Sequence, residues 1–100
     1  MFVVTVRFRI RAGQEDDFHA AVLDQARNSL RREPECQQFD VCRNPEDAGD
    51  VFLYEVYTNA AAFESHQQTE HFAGFGARVG DLVEEKSVRI WERVGAARGA

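Results

Sequence analysis

The first eleven residues alternate in character. Phe2, Val4, Val6, Phe8 and Ile10 fall on one side, and Val3, Thr5, Arg7, Arg9 and Arg11 on the other. A period of two predicts a β-strand over residues 2–11. The following AGQED reads as a turn whose acidic residues suit a helix N-terminus. From Phe18 onward, Ala21, Val22, Gln25, Ala26 and Ser29 recur at helical spacing, and Pro34 stops that helix at Glu33 or before.

Residues 36–43 read as a second strand, with Phe39 and Val41 on one face and Asp40 on the other. NPEDAGD has the length of a hairpin with a longer loop, leading into a third strand over 51–58. Asn59 is placed to cap a helix, and Thr69 to cap a second helical piece in which Phe72, Phe75, Val79 and Leu82 recur at helical spacing. Residues 86–94 alternate again as a fourth strand. The order is β-α-β-β-α-β, with the second helix broken near Gln68. This predicts an α+β, ferredoxin-like fold with two helices on one face of a four-stranded antiparallel sheet. One domain over 1–94 and a flexible tail over 95–100 are expected.

The third strand adds a constraint. Phe52, Tyr54 and Val56 fill one face, while Val51, Leu53 and Tyr57 fill the other. A half-exposed antiparallel strand alternates apolar with polar instead. Two helices cover only one sheet face, so a second copy of the chain is the economical cover, and a homodimer is expected.

Composition narrows the function classes. A chain of 100 residues with net charge −5 lacks the basic excess of a general nucleic-acid binder. It has no apolar run long enough for a transmembrane helix, and Arg7, Arg9 and Arg11 interrupt the N-terminal apolar run, which reads as a strand rather than a signal peptide. Cytoplasmic location is the default expectation. Cys36 and Cys42 lie six residues apart in an extended segment. That is about 20 Å, beyond disulfide reach, so both are read as reduced thiols.

The candidate chemistry centres on YEVYTNAAAFESHQQTEHF, residues 54–72. Glu55 sits inside an apolar strand, where a carboxylate must find a partner or shift its pKa upward. Either it pairs with Arg7, Arg9 or Arg89, or it keeps an elevated pKa suited to proton transfer. His66 follows Phe63 by three and reaches toward the sheet. His71 lies in the first turn after Thr69. Five residues of continuous helix turn through about 140°, a poor spacing for a metal, although a break near Gln68 allows both rings to face one cavity. An organic-ligand pocket is favoured over a metal site. No serine-hydrolase, phosphate-loop or dinucleotide motif occurs.

Five pieces of sequence resemble, in order and spacing, the antibiotic biosynthesis monooxygenase family. They are F-x-x-A at Phe18–Ala21, NSLRREPEC at Asn28–Cys36, FDV at Phe39–Val41, LYEVY at Leu53–Tyr57 and AFESHQQTEHF at Ala62–Phe72. The resemblance spans residues 2–94 and implies a dimeric α/β barrel whose subunits each hold a cavity between helices and sheet. It implies a monooxygenase oxidising a quinol or polyphenol with O2, without metal, flavin or nicotinamide cofactor. The cavity positions it implies are Asn28, Phe39, Asp40, Glu55, His66, His71 and Phe72. His66 or His71 would take a phenolic proton assisted by Glu55, Asn28 would hydrogen-bond a substrate oxygen, and Phe39, Tyr54 and Phe72 would form aromatic walls. Thr5 and His66 stand where haem-degrading relatives carry other residues, so haem is not expected. Two alternatives stay open. One is an isomerase of a small phosphorylated ketone, resembling the autoinducer-2-processing branch and needing an anion partner such as Arg7 or Arg43. The other is a dimer that binds a small ligand without turnover.

Overall fold

Alternation along the first strand decides which side of the sheet is covered. A computed structural model describes residues 1–99, in the order β1 (Phe2–Ile10), α1 (Glu15–Arg32), β2 (Cys36–Asn44), β3 (Asp47–Tyr57), α2 (Ala60–Gln67), α3 (Glu70–Val79), a short 3-10 turn (Gly80–Leu82) and β4 (Val83–Glu92). The strands form one antiparallel sheet in the order β2-β3-β1-β4, the ferredoxin-like α+β arrangement. Val4, Val6, Phe8 and Ile10 of β1 are buried against the helices with Phe18, Ala21, Val22 and Ala26 of α1. Val51, Leu53 and Tyr57 of β3 share that face, because β3 pairs Val4 with Glu55, Val6 with Leu53 and Phe8 with Val51.

The same register sends Thr5, Arg7, Phe52, Tyr54 and Cys42 to the helix-free face. There Phe52 and Trp91 remain large and exposed. Trp91 Nε1 donates to Thr5 Oγ1 at 2.9 Å across the strands. Both cysteines are free, Cys36 buried and Cys42 exposed. A register shift between Cys36 and Gln38 places Cys36 opposite Tyr57, on the helix side, and Cys42 opposite Phe52, on the other.

Two boundaries differ from the sequence reading. The β2–β3 connection is a tight turn at Pro45–Glu46 rather than a long loop, and β3 begins at Asp47. Asn44 Oδ1 accepts from the Glu46 amide at 2.9 Å and closes the turn. The acidic residues that looked like loop are held in the sheet by arginines of β1. Arg7 binds Asp50 through two hydrogen bonds of 2.9 Å, and Arg9 binds Asp47. Likewise β4 starts at Val83, which pairs with Ile10 beyond an irregularity after Arg9. Residues 93–99 carry no regular structure, and residue 100 of the expected tail lies outside the described residues.

The helical break falls where capping residues put it. Asn59 Oδ1 accepts from the Ala62 amide at 2.9 Å and starts α2, while Thr69 Oγ1 accepts from the Phe72 amide at 3.1 Å and starts α3. Thr69 is extended, so the chain changes direction between the two histidines. Among the described residues no helix is long and apolar enough to cross a membrane.

Candidate active site

Between the helices and the sheet lies a cavity of about 430 Å³. Its walls include Val4, Val6 and Phe8 of β1, Phe39 of β2, Leu53 and Glu55 of β3, Phe63 and His66 of α2, and Phe72, Phe75 and Val79 of α3. Gln25 of α1, Gln67 of α2 and Lys86 of β4 add three polar groups. The wall is therefore aromatic with few polar groups, the usual composition of a small-molecule pocket.

Glu55 reaches this cavity because odd-numbered residues of β3 face the helices. It is only 4% exposed and meets no arginine, since Arg7 and Arg9 are engaged by Asp50 and Asp47. Its partner is Tyr57, two residues along on the same strand face, whose hydroxyl donates to Glu55 Oε1 at 2.6 Å. Burial pushes the Glu55 carboxyl up to about 7, although the Tyr57 hydrogen bond and the Lys86 charge oppose the shift. Burial and the adjacent Glu55 charge raise the Tyr57 phenol, which stays protonated as a donor.

His66 is 2% exposed and sits beside Phe39, Tyr57, Phe63 and Phe72. Its Nδ1 lies 3.0 and 2.9 Å from the two carboxylate oxygens of Glu33. A carboxylate accepts, so Nδ1 carries the proton and Nε2 keeps its lone pair. That Nε2 faces Glu55 Oε1 at 4.0 Å, too far for a direct hydrogen bond. Burial lowers the His66 pKa, and Glu33 works against that shift. Near neutral pH a neutral imidazole therefore faces a carboxyl poised between its protonated and ionised forms, with a gap between them.

His71 does not line the cavity. From the first turn of α3 its Nε2 lies 2.5 Å from Glu33 Oε2, so Glu33 accepts from both rings. The spacing that defeats a shared face on one helix is overcome by the break at Thr69. Donor atoms of Glu33, His66 and His71 lie within 4.8 Å of one another, a spacing a metal ion could bridge. The two ring nitrogens that face Glu33 are those donating to it, so a metal would have to displace both protons.

Of the other residues singled out from the sequence, Phe39 and Phe72 line the cavity. Asp40 and Tyr54 do not. They pair with each other in register on the helix-free face, where Gln38 Nε2 donates to Asp40 at 2.6 Å. Asn28 is half-buried on α1 and lies outside the cavity lining. Arg7 and Arg43, considered as anion partners, do not line it either. Sequence reasoning missed Glu33, Tyr57 and Lys86. Two signals were available: Glu33 immediately precedes the helix-ending Pro34, and Tyr57 shares strand parity with Glu55.

One consequence of the Glu55 environment is testable by pH. The folded state holds its proton more tightly than an unfolded chain, where the ordinary value of 4.5 applies. Through Glu55 alone, stability is greatest below that value and falls as pH rises toward 7, beyond which the loss is complete. His66 acts in the opposite sense: its depressed pKa makes stability rise with pH through the ordinary imidazole range. Glu55→Gln should remove the first slope and leave the second. A carbon-detected NMR titration of the glutamate carboxyls should show one residue titrating near 7. If every glutamate titrates below about 5, the burial argument is wrong.

Over 63 residues the chain is 30% identical to the Mycobacterium tuberculosis protein named "Putative monooxygenase Rv0793", covering 63% of this chain and 61% of that relative. The match thus spans less than two thirds of the relative's length. The structure of Rv0793 superposes with TM-score 0.86 at 22% identity, covering 97% of this chain and 98% of that one. A structure named "Putative antibiotic biosynthesis monooxygenase from Nitrosomonas europaea" superposes with TM-score 0.90 at 24% identity, covering 95% and 100%. PA3566 from Pseudomonas aeruginosa gives TM-score 0.86 at 22% identity, covering 94% of each. These structural likenesses show the shared fold. The model of the family described as antibiotic biosynthesis monooxygenase matches residues 1–78, most of the chain, and the protein belongs to that family.

Proposed function

We propose that the protein is a monooxygenase that oxidises a quinol or polyphenol with O2, using proton transfer by its own side chains. The observation that carries this reading is the orientation of His66. Glu33 fixes its proton on Nδ1, which leaves the Nε2 lone pair at an aromatic cavity wall, opposite a carboxyl that titrates near 7. A phenolic hydroxyl in the gap gives its proton to Nε2, and the imidazolium is stabilised by Glu33. The resulting anion is electron-rich enough to reduce O2. Quinol plus O2 gives hydroxyquinone plus water, with all four electrons supplied by the organic substrate, so the balance closes without an external reductant. Glu55, held by Tyr57, hydrogen-bonds the substrate oxygen and receives or returns a proton as charge develops. His71 acts as a positioning residue through Glu33.

Oxygen uptake with reduced naphthoquinone, started from an anaerobic mixture, tests the activity. Uptake no faster than with heat-inactivated protein, across several quinols, would sink it. The aromatic wall favours this reading over isomerisation of a small phosphorylated ketone.

The active form in this proposal is a homodimer. Its support is the helix-free sheet face, where Phe52 and Trp91 are exposed beside a groove that also includes Thr5, Arg7 and Arg89. A second copy of the same face is the cover that symmetry supplies most simply. Size exclusion with light scattering at micromolar concentration should give twice the 11.4 kDa chain mass. A monomer under those conditions would refute the dimer.

A further inference from the structure

The cavity is not uniform from end to end. Its acid–base groups sit at the β3 side, and a cation stands at the β4 side. Lys86 is the one lysine or arginine on the cavity wall among the described residues. Its register partner is Phe8, and its ammonium lies 5.7 Å from the centroid of that buried ring. The head group is therefore turned over the helix face of the sheet. Cation–π attraction to a buried phenylalanine holds it there only modestly.

The acids along that edge do not neutralise it. Asp47 and Asp50 are engaged by Arg9 and Arg7, and Glu85 pairs in register with Arg9 on the opposite face. Among the described residues Lys86 makes no ion pair. Lys86 is exposed at the cavity rim and its charge reaches Glu55 without forming an ion pair, which leaves the ammonium open to an anionic guest.

The two ends can be measured against each other from the register. Lys86 lies beside Phe8 and Glu55 beside Val4, on opposite flanks of β1. Four residues along β1 and two strand spacings across it separate the two Cα atoms by about 16 Å. Both side chains reach inward and shorten that span. The walls along the way are Val6, Phe8 and Leu53.

We infer that Lys86 is an anion subsite, and that the cavity takes an aromatic molecule carrying a phenolic hydroxyl at one end and an anionic group at the other. This rests on the cavity being the substrate site, and it narrows the substrate class to phenols that carry an acidic group. The anion can be a carboxylate or a phosphate ester, and the lysine alone does not distinguish them. The uncharged end meets Glu55 and His66, so the charged end also fixes which hydroxyl is presented to the base.

Calorimetric titration with 2-naphthoate, 2-naphthyl phosphate and 2-naphthol tests this without any oxidation step. At low salt, at least one anion should bind about tenfold or more tightly than the neutral naphthol, and the tighter anion identifies the head group. Lys86→Met keeps the stem over Phe8 and should remove that preference, leaving naphthol binding within about twofold of wild type. Lys86→Arg should retain it. Raising the salt concentration should weaken the anions and leave naphthol unchanged. Equal binding of anions and naphthol, or a preference that survives in Lys86→Met, overturns the subsite while leaving the monooxygenase reading to stand on oxygen uptake. Failure of all three compounds to bind overturns both the subsite and the cavity as the place where aromatics sit.

Discussion

Oxygen uptake by the His66→Ala variant on a reduced naphthoquinone is expected to fall about 10²- to 10⁴-fold below wild type, the usual worth of a positioned general base. The expectation follows from three facts about one ring. His66 is 2% exposed, its Nδ1 is held by both oxygens of Glu33, and its Nε2 faces the cavity. No other imidazole lines that cavity among the described residues, because the nearby His71 is turned to Glu33. Glu33→Gln separates positioning from proton transfer. An amide oxygen still accepts from Nδ1 but no longer stabilises the imidazolium, so the activity should fall less, and with the His66 pKa lowered the acidic limb of the pH profile should move to lower pH. Thermal melts of both variants would show whether folding is intact. If uptake in His66→Ala equals wild type while the protein remains folded, His66 is not the base.

Phe18→Ala should cost about 3–5 kcal/mol of folding stability, the range for deleting a buried aromatic side chain. Phe18 is fully buried and links three elements. Its ring centroid lies 4.9 Å from Phe8 of β1 and 6.1 Å from Phe75 of α3, with both pairs tilted. Removing it leaves α1 without its first anchor on the sheet and opens a void that rigid strands cannot close. In a domain of this size, whose total stability is on the order of 5–15 kcal/mol, that is a large share. The melting temperature should drop by roughly 15–30 °C, and the urea midpoint should fall with an unchanged slope. A loss under about 1 kcal/mol would mean the helix repacks over the gap.

Much of the architecture was legible because period two and period 3.6 leave strong traces in β1, β3 and α1. The tight turn of the β2–β3 hairpin was not, since Asp47 and Asp50 read as loop residues until Arg9 and Arg7 are known to lie opposite them. Part of the site was legible as well. Glu55 inside an apolar strand signalled an unusual carboxyl, and Phe39 and Phe72 fell on the cavity. The same parity that brings Glu55 inward sends Tyr54 outward, and Asp40 goes with it opposite Phe39. Glu33 was hidden for a different reason. Its role depends on α1 ending beside α2 and α3, thirty-three residues from His66 in sequence, and no local pattern carries that juxtaposition. Asn28 shows the limit of helical-wheel reasoning, because its sector faces the sheet but not the cavity.

β3 lies between β2 and β1, whereas β4 hydrogen-bonds to β1 alone. The wall that carries Glu55 is therefore braced on both sides, and the wall that carries Lys86 on one. Stiffness is graded across the pocket: firm where a proton must move over tenths of an ångström, compliant where an ionic grip tolerates displacement. A bulky guest would strain the edge strand before it disturbed the base. Differences in molecular size should accordingly be felt as slower arrival and departure more than as misaligned chemistry.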